Sequence, residues 1–181
     1  MEEKQVVLIR KQHTPYVVNY PYGGSDGRTK EYIWAGTKGN ILNKRAVPYE
    51  VFEWLKESTS CFRSGSLIIE VKQDEEVTYA KESIENIEEV EKAIMTKQEI
   101  VDMLGKGNHL SLKKALNELT DGKDSTLTSP IKRYICGIAS ELGIDSSAKR
   151  RVLSDWAGID YENSDLIFDK EIDELYNKNA R

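Results

Sequence analysis

Two short stretches bring together residue types that can hold a phosphate. In "EYIWAGTKGN", residues 31–40, two glycines flank Lys38 behind an apolar run, and "GKGN" recurs at residues 105–108. A phosphate loop needs four residues between its glycines and then Lys-Ser/Thr, so that main-chain N–H groups cradle the phosphate and the hydroxyl meets magnesium. "GTKGN" has neither that spacing nor a hydroxyl after its lysine, and a strand rather than a helix is expected beyond it. The second copy falls between two expected helices, with Gly105 as a helix stop and Asn108 as a helix cap. The GxGxxG of dinucleotide sites is absent. No cofactor is expected.

Metal and nucleophile chemistry fare no better. His13 and His109 stand alone, without CxxC or HxxxH spacing, and "DYENSD" lacks the alternating oxygen ligands of a calcium loop. There is no GxSxG elbow. Cys61 and Cys136 lie far apart and read as two buried, reduced thiols. Carboxylates are plentiful, but no pair is singled out by an apolar cleft. The expectation is a protein with no catalytic residue and no metal site.

Cations are the remaining candidates. Lys132, Arg133, Lys149, Arg150 and Arg151 fall on two successive expected helices, near Tyr134 and Trp156. "IDSSAKRRVLSDWAG" could serve as a recognition helix entering a groove. Against this, Tyr134 and Trp156 fall on apolar stripes and read as core, and the acidic tail that follows would repel phosphate. A nucleic-acid-binding regulator is therefore the alternative reading.

The elements that would carry these residues form an α+β chain. "KQVVLIRKQ" and "PYVVNY" are rich in β-branched and aromatic residues, and "PYGGSDGRTK" is a loop, a hairpin tip or contact loop. "EYIWA" and "NILNKRAV" read as two strands of a hairpin joined through Gly36 to Gly39, with Ile33 or Trp34 as the buried anchor. Pro48 opens a helix burying Val51, Phe52 and Leu55, and "GSLIIEV" is a buried strand. One helix across a curled sheet would satisfy this order.

An acidic stretch follows, with Ile84, Ile87, Val90 and Ile94 at helical spacing. From Thr96 onward helices are expected throughout. Ser129 caps one of them with Pro130 in its first turn, Asp145 caps the next, which buries Val152, Leu153 and Trp156, and a last one runs from about 165 to 177. The domains read as a β-rich 1–72, an acidic linker and amphipathic helix at 73–95, and a helical bundle at 96–181.

Composition bounds the setting. The net charge of −5 divides into blocks of +3 (1–69), −6 (70–92), +3 (93–151) and −5 (152–181). Blocks of alternating sign favour contacts between segments or subunits over one nucleic-acid face. No apolar run approaches the roughly 20 residues that cross a bilayer, and the acidic "MEEKQVVLIRKQ" is not a signal peptide. The expected location is a virion or the host cytoplasm.

The stretch "YIWAGTKGNILNKRAVPYEVFEWL…FRSGSLIIE" resembles small virion-associated structural proteins of tailed bacteriophages. The resemblance spans residues 31–70 and rests on a Trp-Gly hairpin, a Val-Pro helix start and a "GSLII" strand. It implies a head, neck or tail component acting through subunit contacts in a homo- or hetero-oligomer, and it carries no functional residue across. From the residues themselves, the contact candidates are Tyr22, Arg28 and Lys30 on the glycine loop, Thr37 and Lys38 at the hairpin tip, and Asp169, Asp173 and Glu174 in the acidic tail. An inhibitor that masks a host protein would use the same kind of surface.

Overall fold

The computed structural model describes residues 4–23, 27–39, 41–71 and 74–161. The chain divides into two units, Met1–Gln98 and Glu99–Arg181. The expected α+β class is what it shows, a mixed β/α region followed by a bundle of helices.

In the first unit the element order is β1 (Gln5–Arg10), β2 (Tyr16–Pro21), β3 (Thr29–Trp34), β4 (Asn43–Pro48), α1 (Tyr49–Ser58), β5 (Ile68–Glu70), α2 (Glu75–Glu82) and α3 (Ile87–Ala93). The strands form two sheets rather than one curled sheet. β4-β1-β5 is antiparallel throughout, with Val6 opposite Val47 and Leu8 opposite both Arg45 and Ile69. β2 and β3 form a separate antiparallel ribbon. The expected β3–β4 hairpin is thus not a ladder: β3 turns back onto β2, while β4 joins β1. Strand propensity located β3 and β4, but pairing is a tertiary choice that propensity does not encode.

Helix α1 forms as its sequence dictates. Pro48 precedes its first residue, Val51, Phe52 and Leu55 are completely buried, and the chain leaves at Thr59, whose N–H donates to the Leu55 carbonyl at 3.2 Å. These three pack with Leu8, Trp34, Val47, Phe62, Leu67 and Ile69. Burying side chains of this size is worth about 1.5–3 kcal/mol each.

The acidic stretch departs from the expected linker and amphipathic helix: its linker half is helix α2, and the helix expected to carry Ile84, Ile87, Val90 and Ile94 begins only at Ile87. Asn86 adopts a left-handed conformation, φ +58°, and breaks the segment into α2 and α3. Both halves pack on the first unit. Val77, Ala80, Ile84 and Ile87 join the same core as the strands, and Val90 and Ile94 are buried as well. Gly65 admits Ile94: a Cβ there would lie 2.2 Å from the isoleucine's Cδ1.

The remaining helices are α4 (Lys97–Gly105), α5 (His109–Thr120), α6 (Ser125–Leu142) and α7 (Ser147–Ala157). Asn108 caps α5 as expected, its side chain accepting from the Leu110 and Ser111 N–H groups at 3.1 and 3.0 Å. Helix α6 begins at Ser125, four residues before the expected cap at Ser129, so Pro130 sits inside it. Helix α7 is capped by Ser146, which accepts from Lys149 N–H, and not by Asp145. Leu153 is buried there as expected, but Val152 and Trp156 are only half-buried, the Trp156 indole donating to Thr120 Oγ1 at 2.9 Å. The helix expected from 165 to 177 lies outside the described residues.

Candidate protein-contact surface

The β2–β3 ribbon positions the glycine-loop candidates. Tyr16, Val18 and Tyr20 turn inward and pack on the core of the first unit, while Val17, Asn19 and Pro21 turn outward. Tyr20 meets Tyr32 and Trp54 edge-on at 6.5 and 5.5 Å between ring centroids, which pins the ribbon to α1. On β3, Tyr32 and Trp34 are buried and Glu31 and Ile33 exposed. Trp34 is therefore the anchor and Ile33 is not.

The loop closes on a bond from Tyr22 N–H to the Arg28 carbonyl at 2.9 Å. Tyr22, Arg28 and Lys30 are all exposed. The Lys30 ammonium sits 5.3 Å from the centre of the Tyr32 ring. Val17 lies directly opposite Ile33 in the ladder, and the two are 47% and 45% exposed. The ribbon thus shows an apolar pair on its outer face and cations at its loop end. Only the ladder brings Val17 and Ile33 together on one face.

Thr37 corrects the expectation of an exposed hairpin tip. It is buried, with its N–H donating to the Gln12 carbonyl at 3.0 Å and its hydroxyl donating to the Lys11 carbonyl at 3.1 Å. Gly36 makes this possible by close approach and not by an unusual angle: a Cβ there would stand 1.7 Å from the His13 carbonyl oxygen. Lys38 is exposed and bridges to Ile41, which is 76% exposed, around Gly39 at φ +59°. The lysine that resembled a phosphate ligand stands on a small turn beside an exposed isoleucine.

The basic residues of the second unit do not form one open face. Arg150 is buried, and its Nη1 donates to the Ile144 and Asp145 carbonyls. This corrects its assignment as a nucleic-acid contact, because the guanidinium is occupied inside the turn before α7. Lys149 is half-buried and donates to the Leu104 carbonyl at 2.8 Å, at the C-terminal end of α4, where main-chain carbonyls lack helical partners. Lys132 is half-buried over the Trp156 ring at 5.5 Å. Arg133 and Arg151 are exposed, Arg151 lying 4.9 Å over Tyr161. A shallow groove of about 520 Å³ beside α6 is lined by Ser129, Lys132, Arg133, Cys136, Ala157 and Ile159, among others. Asp169, Asp173 and Glu174 lie outside the described residues.

Neither thiol has the surroundings of a nucleophile. Cys61 and Cys136 are free and buried, and burial pushes both thiols up to about 11. A reactive cysteine needs a depressed pKa and access. Among the described residues no cluster of three or more His, Cys, Asp or Glu is placed to hold a metal ion, and no helix is long and apolar enough to cross a membrane.

Compared with known proteins, the chain matches neither a curated protein nor a solved structure. Residues 4–89 match the family model of the YonA N-terminal domain, a phage-associated domain, over just under half of the chain, from the start of β1 into α3.

Proposed function

We propose that the chain is a non-enzymatic assembly protein of a tailed-phage particle, a head, neck or tail component, acting through protein–protein contacts. On this reading it works in the virion or the host cytoplasm, and the β2–β3 ribbon with Tyr22, Arg28, Lys30 and Lys38 is its contact surface. The observation that carries the reading is the match of residues 4–89 to a phage-associated domain. The outer face of the ribbon supports it, with Val17 and Ile33 exposed as a pair. The nucleic-acid alternative draws less support, since Lys149 and Arg150 bond main-chain carbonyls.

The test is to purify a tagged chain gently from its native host, size the complexes, and map lysine cross-links by mass spectrometry. Assembly predicts a complex several times larger than one chain, with cross-links from Lys30 or Lys38 to one defined protein. A chain that sediments as a monomer and gives no such cross-links overturns the proposal. Retention on heparin lost steeply with salt would instead mark a nucleic-acid binder.

A further inference from the structure

The strand edges of the first unit are treated unequally. At β5, the Ile69 N–H donates to Glu91 Oε1 at 3.3 Å and the Lys81 ammonium donates to the Ile69 carbonyl at 3.4 Å. Lys81 and Glu91 are themselves paired at 2.6 Å. Helices α2 and α3 thereby place a polar clasp over that edge. The β4 edge carries Lys44 and Arg45, and Arg45 donates to the Ile33 carbonyl at 2.8 Å, tying β4 to β3. Charged or covered edges of this kind block strand addition. The outer edge of β2 has neither device: Tyr16–Pro21 contains no charged residue, and no strand pairs with it among the described residues.

The phase of that edge follows from one hydrogen bond. Antiparallel bonds alternate along a ladder, so the bond from Tyr22 to Arg28 sets Tyr16, Val18 and Tyr20 toward β3 with their main-chain groups. Val17, Asn19 and Pro21 then turn theirs away. Pro21 fits this phase, since its missing N–H is no loss on an outward position. Pro15 lies in the same phase. The two prolines leave two outward donors between them, those of Val17 and Asn19, and so limit any added strand to a short one.

We propose that the β2 edge pairs antiparallel with the β2 edge of a second copy of this chain, joining two ribbons into a four-stranded sheet β3-β2-β2-β3. This deepens the protein-contact reading and rests on it. Three observations select a second copy as the occupant. An uncharged edge does not repel its own image, and a two-fold interface is self-complementary by construction. With Val17 facing its copy, the exposed Val17–Ile33 pair becomes a continuous row Ile33–Val17–Val17–Ile33 across both ribbons, the arrangement in which cross-strand apolar pairs stabilise a sheet. Antiparallel pairing also sends the two loop ends, each with Arg28 and Lys30, to opposite ends of the sheet, which keeps like charges apart. In this register the two Val17 residues exchange both main-chain bonds, and each Asn19 N–H donates to the Pro15 carbonyl of the copy.

The test uses the full chain in sedimentation equilibrium. N19P removes an outward N–H that the monomer's own ladder does not use. It should leave the circular dichroism spectrum and melting temperature unchanged while weakening self-association by about tenfold or more, the loss of two main-chain bonds per dimer. V17C places an exposed thiol at the two-fold axis, with both native cysteines buried, and should give a disulfide-linked dimer on mild oxidation. A wild-type chain that stays monomeric at high concentration overturns self-pairing, as does a dimer that N19P leaves intact. The second result places the contact elsewhere and leaves the protein-contact reading standing. A chain monomeric alone but cross-linked through Lys30 or Lys38 to another protein also overturns self-pairing and keeps that reading. Loss of both self-association and native partners removes the two together.

Discussion

At the scale of single residues, burial decides which polar groups are available. Arg10 is 97% buried and spends Nε, Nη1 and Nη2 on the Thr14 carbonyl, the Ser66 carbonyl and the Thr14 hydroxyl at 2.9, 2.7 and 3.0 Å. Such a guanidinium holds the start of β2 and the turn before β5 in place. The two thiols make the burial argument testable. Both are protonated in the folded chain up to about pH 11, whereas the unfolded chain ionises them near 9.0. Between these values the unfolded state binds fewer protons, so stability falls as pH rises. The fall should amount to about 2–3 kcal/mol per thiol by pH 11, read from urea midpoints, and C61A should lose its share of it. A disulfide reagent at pH 8 should find no reactive thiol in the native chain and two in denaturant. Rapid reaction of Cys61 in the folded chain would show that the site is open.

At the scale of elements, local chemistry sets the termini and tertiary packing sets the partners. Asn108 is legible as a cap because it stands just before an apolar-periodic run and its side chain reaches the next turn. At α7 two polar residues precede the helix, and spacing alone does not choose between them. The Ser146 hydroxyl takes the Lys149 N–H, while the Asp145 carbonyl is bound by Arg150. S146A should therefore cost about 1 kcal/mol in thermal unfolding, and D145A less than half of that. The reverse order would assign the cap to Asp145. Helix α6 starts early because Pro130 is tolerated within it, a case in which a strong local signal placed the boundary four residues late.

At the scale of the whole molecule, the acidic segment is structural in the first unit. Its apolar residues complete a core to which every strand contributes or packs side chains. A chain cut after Gln98 should therefore fold by itself, with a cooperative urea transition and buried-tryptophan emission from Trp34. A chain cut after residue 72 should not, because Val77, Ala80, Ile84 and Ile87 would be missing from that core. Cooperative unfolding of residues 1–72 would overturn this, as would failure of 1–98 to fold. The block charges fit the same division: the −6 block contributes Lys81–Glu91 and Asp74 to contacts within the unit, Asp74 pairing with Lys4 at 2.9 Å.

The sequence by itself determined the class and most of the order of elements, because periodicity and capping act over a few residues. It located α1 with its three buried residues and assigned the thiols to the interior. At "EYIWAGTKGN" it suggested a hairpin that the fold does not form. Only the tertiary structure decided that β3 pairs with β2, that Thr37 and Arg150 are enclosed, and that Val17 and Ile33 meet on an open ribbon. Those outcomes depend on contacts between residues far apart in the chain, and strand pairing, unlike strand propensity, is settled by the whole core that the pairing closes.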